Sequence, residues 1–449
     1  MEKIFNFNYF QLIALHLALG FVVYLHRPLS AIILPVILVL LLVYVITNKN
    51  KGNEALLAAG YMAGAEVFFR MTKATIFWET GKYSVIMFLL IGMYFKGTSA
   101  KTVPFWIYLM LLMPAIFVAS QSMDSTLDNF RTSVAFNLSG PFCLGISALY
   151  CYYKKVTKEQ FSKILLMLLL PLVATMIYLY FRTPSIGEAL MSGVNSNFEA
   201  SGGYGPNQIA TVLGLGAFIL FIRLFTVKNM IINLFDLALF GAMMYRAIVT
   251  FSRGGVLTAV LCIIAFLILF YYKQNSKERS KVFIKIVLIL GTFIAIWTYT
   301  AIETNGLIVN RYTNKDTAGE LEENITTGRV ELFMTELMGF YENPVLGIGV
   351  DRAKKFRGSR VASHNELSRL LSEHGVFGIF AILILIFVPI IFWTKFKNNY
   401  YFLAFMAFWF LTINHSAMRI ALPAFVYGLA LLYIVDEKKP PIHRKRLSY

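Results

Sequence analysis

Three short stretches carry side chains able to do chemistry: Ser252-Arg253-Gly254-Gly255, Thr327-Gly328-Arg329 and Ser363-His364-Asn365-Glu366. Each sets one strongly polar group at the expected start of a helix. The two guanidinium groups would hold an anion through parallel hydrogen bonds, and an uncharged imidazole would take up a proton. Groups this polar are costly beside a bilayer, and most of the remaining chain reads as lipid-soluble.

Local sequence sets out how each group would be presented. Ser363 and Glu366 read as a capping box, which makes His364 the first helical residue, where the helix dipole keeps the ring neutral near pH 7. Leu367, Leu370 and Leu371 then share one face, Arg369 and Glu373 the other, and Gly375 ends the helix. Thr327 reads as the cap of a helix running to Tyr341, with Val330, Phe333, Met334, Leu337 and Met338 as an apolar stripe. That helix lies on the bilayer surface or against the spans. A cation at Arg329, in its first turn, is unfavourable unless an anion shares the free N–H groups. Arg253 follows the cap candidate Ser252 in a connection from Thr250 to Gly255, whose glycines let backbone approach a ligand closely. Asn343-Pro344 with Gly347 and Gly349 supplies a tight backbone path, and Ser201 to Gln208 is a glycine-rich lead into a span. Taken singly, each feature has a plainer reading: a solvated turn for Arg329, a surface histidine for His364, boundary packing for His374, snorkelling for Arg246.

The elements that must position these groups are membrane spans. The 449 residues are 58% hydrophobic and 14% charged, with mean hydropathy +0.65. A soluble protein of this length needs more charge to cover its surface, so the composition indicates a multi-span membrane protein. Fourteen apolar runs are legible, at 9–25, 29–47, 55–69, 83–95, 103–119, 134–153, 164–181, 208–222, 230–249, 255–272, 286–302, 375–394, 400–413 and 420–435. Several fall short of the ~20 residues of a perpendicular span, so re-entrant segments are open for one or two of them. The chain divides into N-terminal spans (1–200), spans flanking the Ser252-Arg253-Gly254-Gly255 turn (201–302), a long polar loop (303–374), and C-terminal spans with a basic tail (375–449).

An even number of runs puts both ends on one side, and every second loop is basic on the side of the tail residues Lys438, Lys439, Arg444, Lys445 and Arg446. The positive-inside rule makes that face cytoplasmic and the 303–374 loop periplasmic. Topology and anionic headgroups thereby account for much of the net charge of +17 without nucleic acid. The cytoplasmic set holds 19 lysines and 4 arginines, the remainder of the chain 5 lysines and 13 arginines. Lysine suffices for topology. Arginine on the far side fits recognition of a diphosphate at the interface, because its planar fork is less strongly hydrated. Cys143 and Cys262 fall inside apolar runs and Cys151 near the end of one, so neither a disulfide framework nor a metal site is expected. The first run lacks a cleavage site and reads as a retained span.

In order along the chain, Gly205-Pro206-Asn207-Gln208-Ile209-Ala210, Phe251-Ser252-Arg253-Gly254-Gly255, Thr327-Gly328-Arg329, Asn343-Pro344 with Gly347-Ile348-Gly349, and His364-Asn365 with Glu373-His374-Gly375 resemble the O-antigen ligase and O-antigen polymerase superfamily of bacterial inner-membrane glycosyltransferases. The resemblance covers roughly residues 200–395, and nothing carries over to the first 200. It implies an all-α integral membrane fold of about 12–14 transmembrane helices, of the lipid-phosphosugar glycosyltransferase (GT-C-like) architecture. It also implies a polyprenyl-diphosphate-linked glycan donor, of the undecaprenyl type, and no metal or other cofactor. The matching Arg253 and Arg329 would hold the diphosphate, and the matching His364 would help activate the acceptor.

The chemistry of the residues agrees with that assignment. Glycosyl transfer leaves negative charge on the departing phosphate, which fixed guanidiniums stabilise; Arg357 and Arg360 are further candidates beside Arg253 and Arg329. His364 would take the acceptor hydroxyl proton as that oxygen attacks the anomeric carbon, giving inversion, and Asn207 and Asn365 would orient sugars or the ring. A polymerase of surface polysaccharide (O-antigen or capsule) is favoured over a ligase to the lipid A core of lipopolysaccharide. The expected partners are the lipid-linked oligosaccharide, a glycan or lipid A core acceptor, the bilayer and, as a candidate, a chain-length regulator. A transporter or flippase for an anionic glycolipid is the alternative of another class, with Glu66 and Asp236 as its candidate midplane groups.

Overall fold

The computed structural model describes residues 8–121, 127–183, 196–321, 328–358, 361, 363–397 and 399–436. Apart from two three-residue strands and one isolated bridge, the regular structure in them is helical, and the protein is an all-α integral membrane protein. Among the described residues nine helical segments are long and apolar enough to cross a bilayer, with two shorter apolar helices, Tyr9–Leu25 and Phe402–Ser416. The helices are α1 (Tyr9–Leu25), α2 (Leu29–Thr47), α3 (Glu54–Met71), α4 (Thr80–Lys96), α5 (Val103–Leu111), α6 (Pro114–Gln121), α7 (Leu127–Cys151), α8 (Lys158–Arg182), α9 (Pro206–Thr226), α10 (Met230–Val249), α11 (Arg253–Tyr272) and α12 (Ser276–Glu303). The long loop holds α13 (Leu307–Tyr312), α14 (Arg329–Glu342), α15 (Ala353–Phe356) and α16 (Glu366–His374), followed by α17 (Val376–Lys395), α18 (Phe402–Ser416) and α19 (Leu422–Ala430).

Caps and close glycine contacts explain the arrangement. Asn8 with Gln11 and Thr157 with Gln160 make reciprocal capping boxes that start α1 and α8. In lipid, helices associate by packing rather than by a hydrophobic drive, so small residues mark the closest crossings. A Cβ on Gly255 would lie 2.6 Å from the Ala210 Cβ, and one on Gly214 would lie 2.8 Å from the Gly255 carbonyl oxygen. This crossing presses α9 against α11. It thereby brings the start of α9, with Asn207, beside the start of α11, with Arg253.

Several sequence-based boundaries move. The run 103–119 is two helices, because Pro114 starts α6 after a break at Leu112 and Met113. The run 286–302 begins ten residues earlier, at Ser276, so the basic stretch from Lys277 to Lys285 forms the first turns of α12. The run 420–435 is not one span: α19 has nine residues, and Tyr433–Val435 forms strand β2. At 1.5 Å per residue α19 reaches only about 14 Å, short of a ~30 Å hydrocarbon layer. Strand β2 pairs in parallel with β1 (Lys155–Thr157), with Lys155 opposite Tyr433, and Lys158 forms an ion pair with Asp436 at 2.6 Å. The end of the described chain therefore lies beside the basic loop of Lys154, Lys155 and Lys158.

The 303–374 loop is helical and docked. Ile348 and Gly349 donate to the carbonyls of Ser372 and Glu373 at 2.9 and 3.1 Å. Gly347 and Gly349 have φ of 72° and 90°, a conformation that suits glycine, and this path lays Asn343–Gly349 on the end of α16. On α14 the apolar stripe turns outward, with Val330, Met334 and Met338 exposed, while Glu336 and Gly339 are buried.

Candidate functional site: a cationic cavity at one end of the bundle

His364 is fixed by the turn after α18. Its carbonyl accepts from Ala417 N at 3.2 Å, and its ring Nδ1 lies 3.4 Å from the His415 carbonyl. A carbonyl can only accept, so this contact assigns the proton to Nδ1 and leaves the Nε2 lone pair available. The expected capping box is corrected: Asn365 is the N-cap of α16, accepting from Leu367 N and Ser368 N at 2.9 and 3.1 Å. The single Ser363 O–H instead lies within reach of two acceptors, the Asn365 carbonyl at 2.9 Å and Glu336 Oε2 at 3.2 Å. His364 thus precedes the helix, and its ring is kept neutral by other means. Burial first, then the charges of Arg419 and Arg329, push it down to about 4.

Arg329 opens α14 directly after Gly328, whose φ of 75° turns the chain into the helix. The expected Thr327 cap lies outside the described residues. Among the described residues the Arg329 guanidinium has no ion-pair partner. Burial first, and then the charge of Arg253, lower its pKa, so the two guanidinium groups are close enough to feel each other. The Arg253 side chain starts α11 and donates from Nη1 to the Arg311 carbonyl at 3.1 Å and to Asn314 Oδ1. Its neighbour Ser252 donates to Asn207 Oδ1 at 2.7 Å.

A cavity of about 660 Å³ collects these groups. Among the described residues its wall includes Asn207, Gln208, Tyr204, Arg329, His364 and Arg419, and no carboxylate. A second recess of about 150 Å³ is shared by Arg329, His364, Asn365, Asn414 and the carboxylate of Glu336, and there Asn365 Nδ2 donates to Asn414 Oδ1 at 2.8 Å. The structure therefore brings together His364, Arg329, Asn207 and Asn365 on one surface, with Arg253 next to them. Arg357 stands apart, in a buried ion pair with Glu336 at 2.5 Å. Arg360 lies outside the described residues.

Sequence reasoning missed the turn from Asn414 to Arg419. The available signal is a polar interruption between two apolar runs, carrying a histidine and an arginine. His415 Nε2 lies 3.3 Å from Thr211 Oγ1 on α9, and a Cβ on Gly254 would meet the His415 ring at 2.7 Å. Arg419 donates to the Ser363 carbonyl at 2.9 Å, and burial and Arg329 lower its pKa. Behind it, Arg70 bridges Glu66 at 2.6 Å and Glu79 at 3.1 Å, and Lys82 meets Glu79 at 2.6 Å. The first 200 residues thus reach the site through α3 and α4. The two midplane candidates of the transporter reading are both neutralised by arginine: Glu66 by Arg70, and Asp236 by Arg223 at 3.0 Å.

Among the described residues, a multi-span helical bundle with an arginine-lined cavity and no carboxylate in its wall is suited to an anionic ligand. The chain carries an O-Antigen ligase domain: residues 238–383 match that family's model, which supports its place in the O-antigen ligase/polymerase superfamily. The matched stretch contains Arg253, Arg329 and His364. No curated protein and no solved structure matches the chain. The match supports a membrane enzyme of the O-antigen ligase/polymerase family, glycosyltransferase-like and connected with polysaccharide biosynthesis.

Proposed function

We propose that the protein transfers a glycan from a polyprenyl-diphosphate donor to an acceptor sugar hydroxyl, with inversion and without a metal. One observation carries this reading: the ring of His364 shares a cavity with Arg329 and Arg419, and among the described residues no carboxylate lines it. The acceptor O–H gives its proton to His364 Nε2 while its oxygen bonds to the anomeric carbon from the side opposite the phosphate. The bond from that carbon to the phosphate oxygen breaks, and the polyprenyl diphosphate leaves with the electron pair. Arg253, Arg329 and Arg419 stabilise the charge that develops on it. Asn207 and Asn365 orient sugar hydroxyls.

The same arginines tune the base. In the unliganded protein burial first, and then the charges of Arg419 and Arg329, hold His364 well below the usual histidine range. A bound diphosphate offsets their charge, so the ring gains basicity only once the donor is in place. The cavity face is periplasmic, and the opposite, lysine-rich end is cytoplasmic, as the positive-inside rule requires. A carrier of anionic glycolipids would keep ionisable groups available at the midplane, whereas Glu66 and Asp236 are engaged in ion pairs.

Reconstitution with a polyprenyl-diphosphate oligosaccharide, once alone and once with lipid A core, followed by product sizing, tests the reading. A ladder from donor alone identifies a polymerase. Product only with the core identifies a ligase. No product under either condition, with the donor bound and moved across the bilayer, defeats the proposal.

A further inference from the structure

At the opposite end of α9 from Asn207, some 21 residues or about 30 Å away, a second cavity of about 950 Å³ opens between α8, α9, α12 and the start of α18. Among the described residues five cations line it, Lys158, Arg223, Lys228, Lys281 and Lys285, against two carboxylates, Glu159 and Glu278. The carboxylates and cations are not all available to a ligand. Arg223 is bound to Asp236 and Lys158 to Asp436, while Lys281 meets Glu278 in an exposed pair at 2.8 Å that uses one of its three N–H groups. Lys285 donates to the Leu224 carbonyl at 2.5 Å, which uses one of its three N–H groups. Lys228 has no hydrogen bond or ion pair among the described residues.

Below this rim the wall is apolar, formed by Leu165, Ile222, Phe225, Phe270 and Val282. The cavity exists because α12 packs mainly on α10 and touches α9 little, which leaves most of its apolar length exposed. Positive groups at the headgroup level over an apolar wall match a molecule with a phosphate at one end and an acyl chain at the other.

We propose that this crevice is a binding site for an anionic phospholipid, with the phosphate held by Lys228, Lys281 and Lys285 and one acyl chain laid along α12 against Val282 and Phe225. The site is separate from the candidate transfer site, and it stands or falls independently of the proposed reaction.

Thermal unfolding of the full chain in a neutral detergent tests it, with titration of phosphatidylglycerol, phosphatidylcholine of the same acyl chains, or inorganic phosphate. Phosphatidylglycerol is expected to raise the Tm saturably, and the other two to leave it unchanged. The triple variant Lys228→Gln/Lys281→Gln/Lys285→Gln is expected to weaken the response about a hundredfold, roughly fivefold per lysine. Lys49→Gln/Lys51→Gln, on another basic loop, is expected to respond as wild type. Equal shifts with phosphatidylcholine, an equal shift with inorganic phosphate, or equal loss in the Lys49/Lys51 control would each overturn the proposal. Should the triple variant not fold, Val282→Trp fills the apolar wall with the charges intact, and native mass spectrometry counts the lipid retained. An unchanged phosphatidylglycerol count in that variant would also overturn it.

Discussion

Arg70 Nη1 donates to the Arg419 carbonyl oxygen at 2.8 Å, joining the end of α3 to the turn that carries the third cation of the cavity. The bond crosses 349 residues of sequence. Through it, a buried cluster of Glu66, Arg70, Glu79 and Lys82 fixes the backbone from Ala417 to Ala421, and that backbone in turn holds His364. The N-terminal third thus acts on the candidate site by placing its parts, without supplying a side chain known to act on substrate.

Removing Arg70 tests that role. Arg70→Met leaves Glu66 and Glu79 buried without their shared cation, and breaking a buried pair in this way costs about 3–5 kcal/mol. The expected result is a marked fall in Tm in detergent, together with lost transfer. Arg419→Lys keeps the fold and a charge but cannot reproduce the planar fork. It should keep a Tm near wild type and lower kcat. A wild-type Tm for Arg70→Met would show that the cluster is not what holds the turn.

His364→Ala removes the proton acceptor, and the side chain is only half-buried, so folding should survive. Transfer should fall by about 10²–10⁴, the usual contribution of a general base. Membrane insertion and Tm serve as controls. Turnover at the wild-type rate removes the ring from the chemistry.

Arg253→Lys is expected to fail in transfer although charge is conserved. The guanidinium of Arg253 makes two directed contacts, to the Arg311 carbonyl and Asn314, while remaining close enough to Arg329 to be felt by it. A lysine ammonium cannot hold both contacts and also present a fork to a diphosphate. Initial rates at saturating donor check this, and unaltered kcat would reduce Arg253 to a structural part.

In the proposed reaction guanidinium charge does the work a divalent metal could do, so EDTA should leave the rate unchanged within about twofold. Strict dependence on added magnesium or manganese, measured on chelated protein, would overturn the idea that guanidinium charge is sufficient.

Much of the fold was legible because hydrocarbon thickness imposes a length on apolar runs; α1, α2 and α10 begin and end where the sequence says. The three motif stretches were legible because glycines, caps and single strong charges stand out against apolar flanks. Two things were not. Asn414 to Arg419 looks like any short connection between spans, and only its packing on His364 and Thr211 gives it meaning. Likewise, Glu66 with Arg70 and Glu79 with Lys82 stand at helical spacing, but only tertiary packing joins the two pairs through Arg70 and Glu79 and adds partners from α7 and the α18–α19 turn. The neutrality of His364 was reached by the wrong route: a helix dipole was expected, and burial with two nearby arginines does the work.

That route makes a sharper prediction than the dipole does. His364 sits at about 4 in the unliganded protein, against an ordinary 6.5, with burial as the largest cause and Arg419 and Arg329 next. Because the folded value is depressed, the unfolded chain binds the extra proton between about pH 6.5 and 4. His364 therefore favours the folded state fully above 6.5, and this contribution is lost as pH falls toward 4. In catalysis the acid limb of kcat/KM reports the free enzyme and should lie near 4, whereas the limb of kcat reports the donor complex and should lie higher, once the diphosphate offsets the arginines. Arg329→Gln takes away one of those charges, so its kcat/KM limb should shift upward from wild type while maximal kcat falls. Identical acid limbs for kcat and kcat/KM, unmoved by Arg329→Gln, would mean that neither the arginines nor the donor governs the histidine.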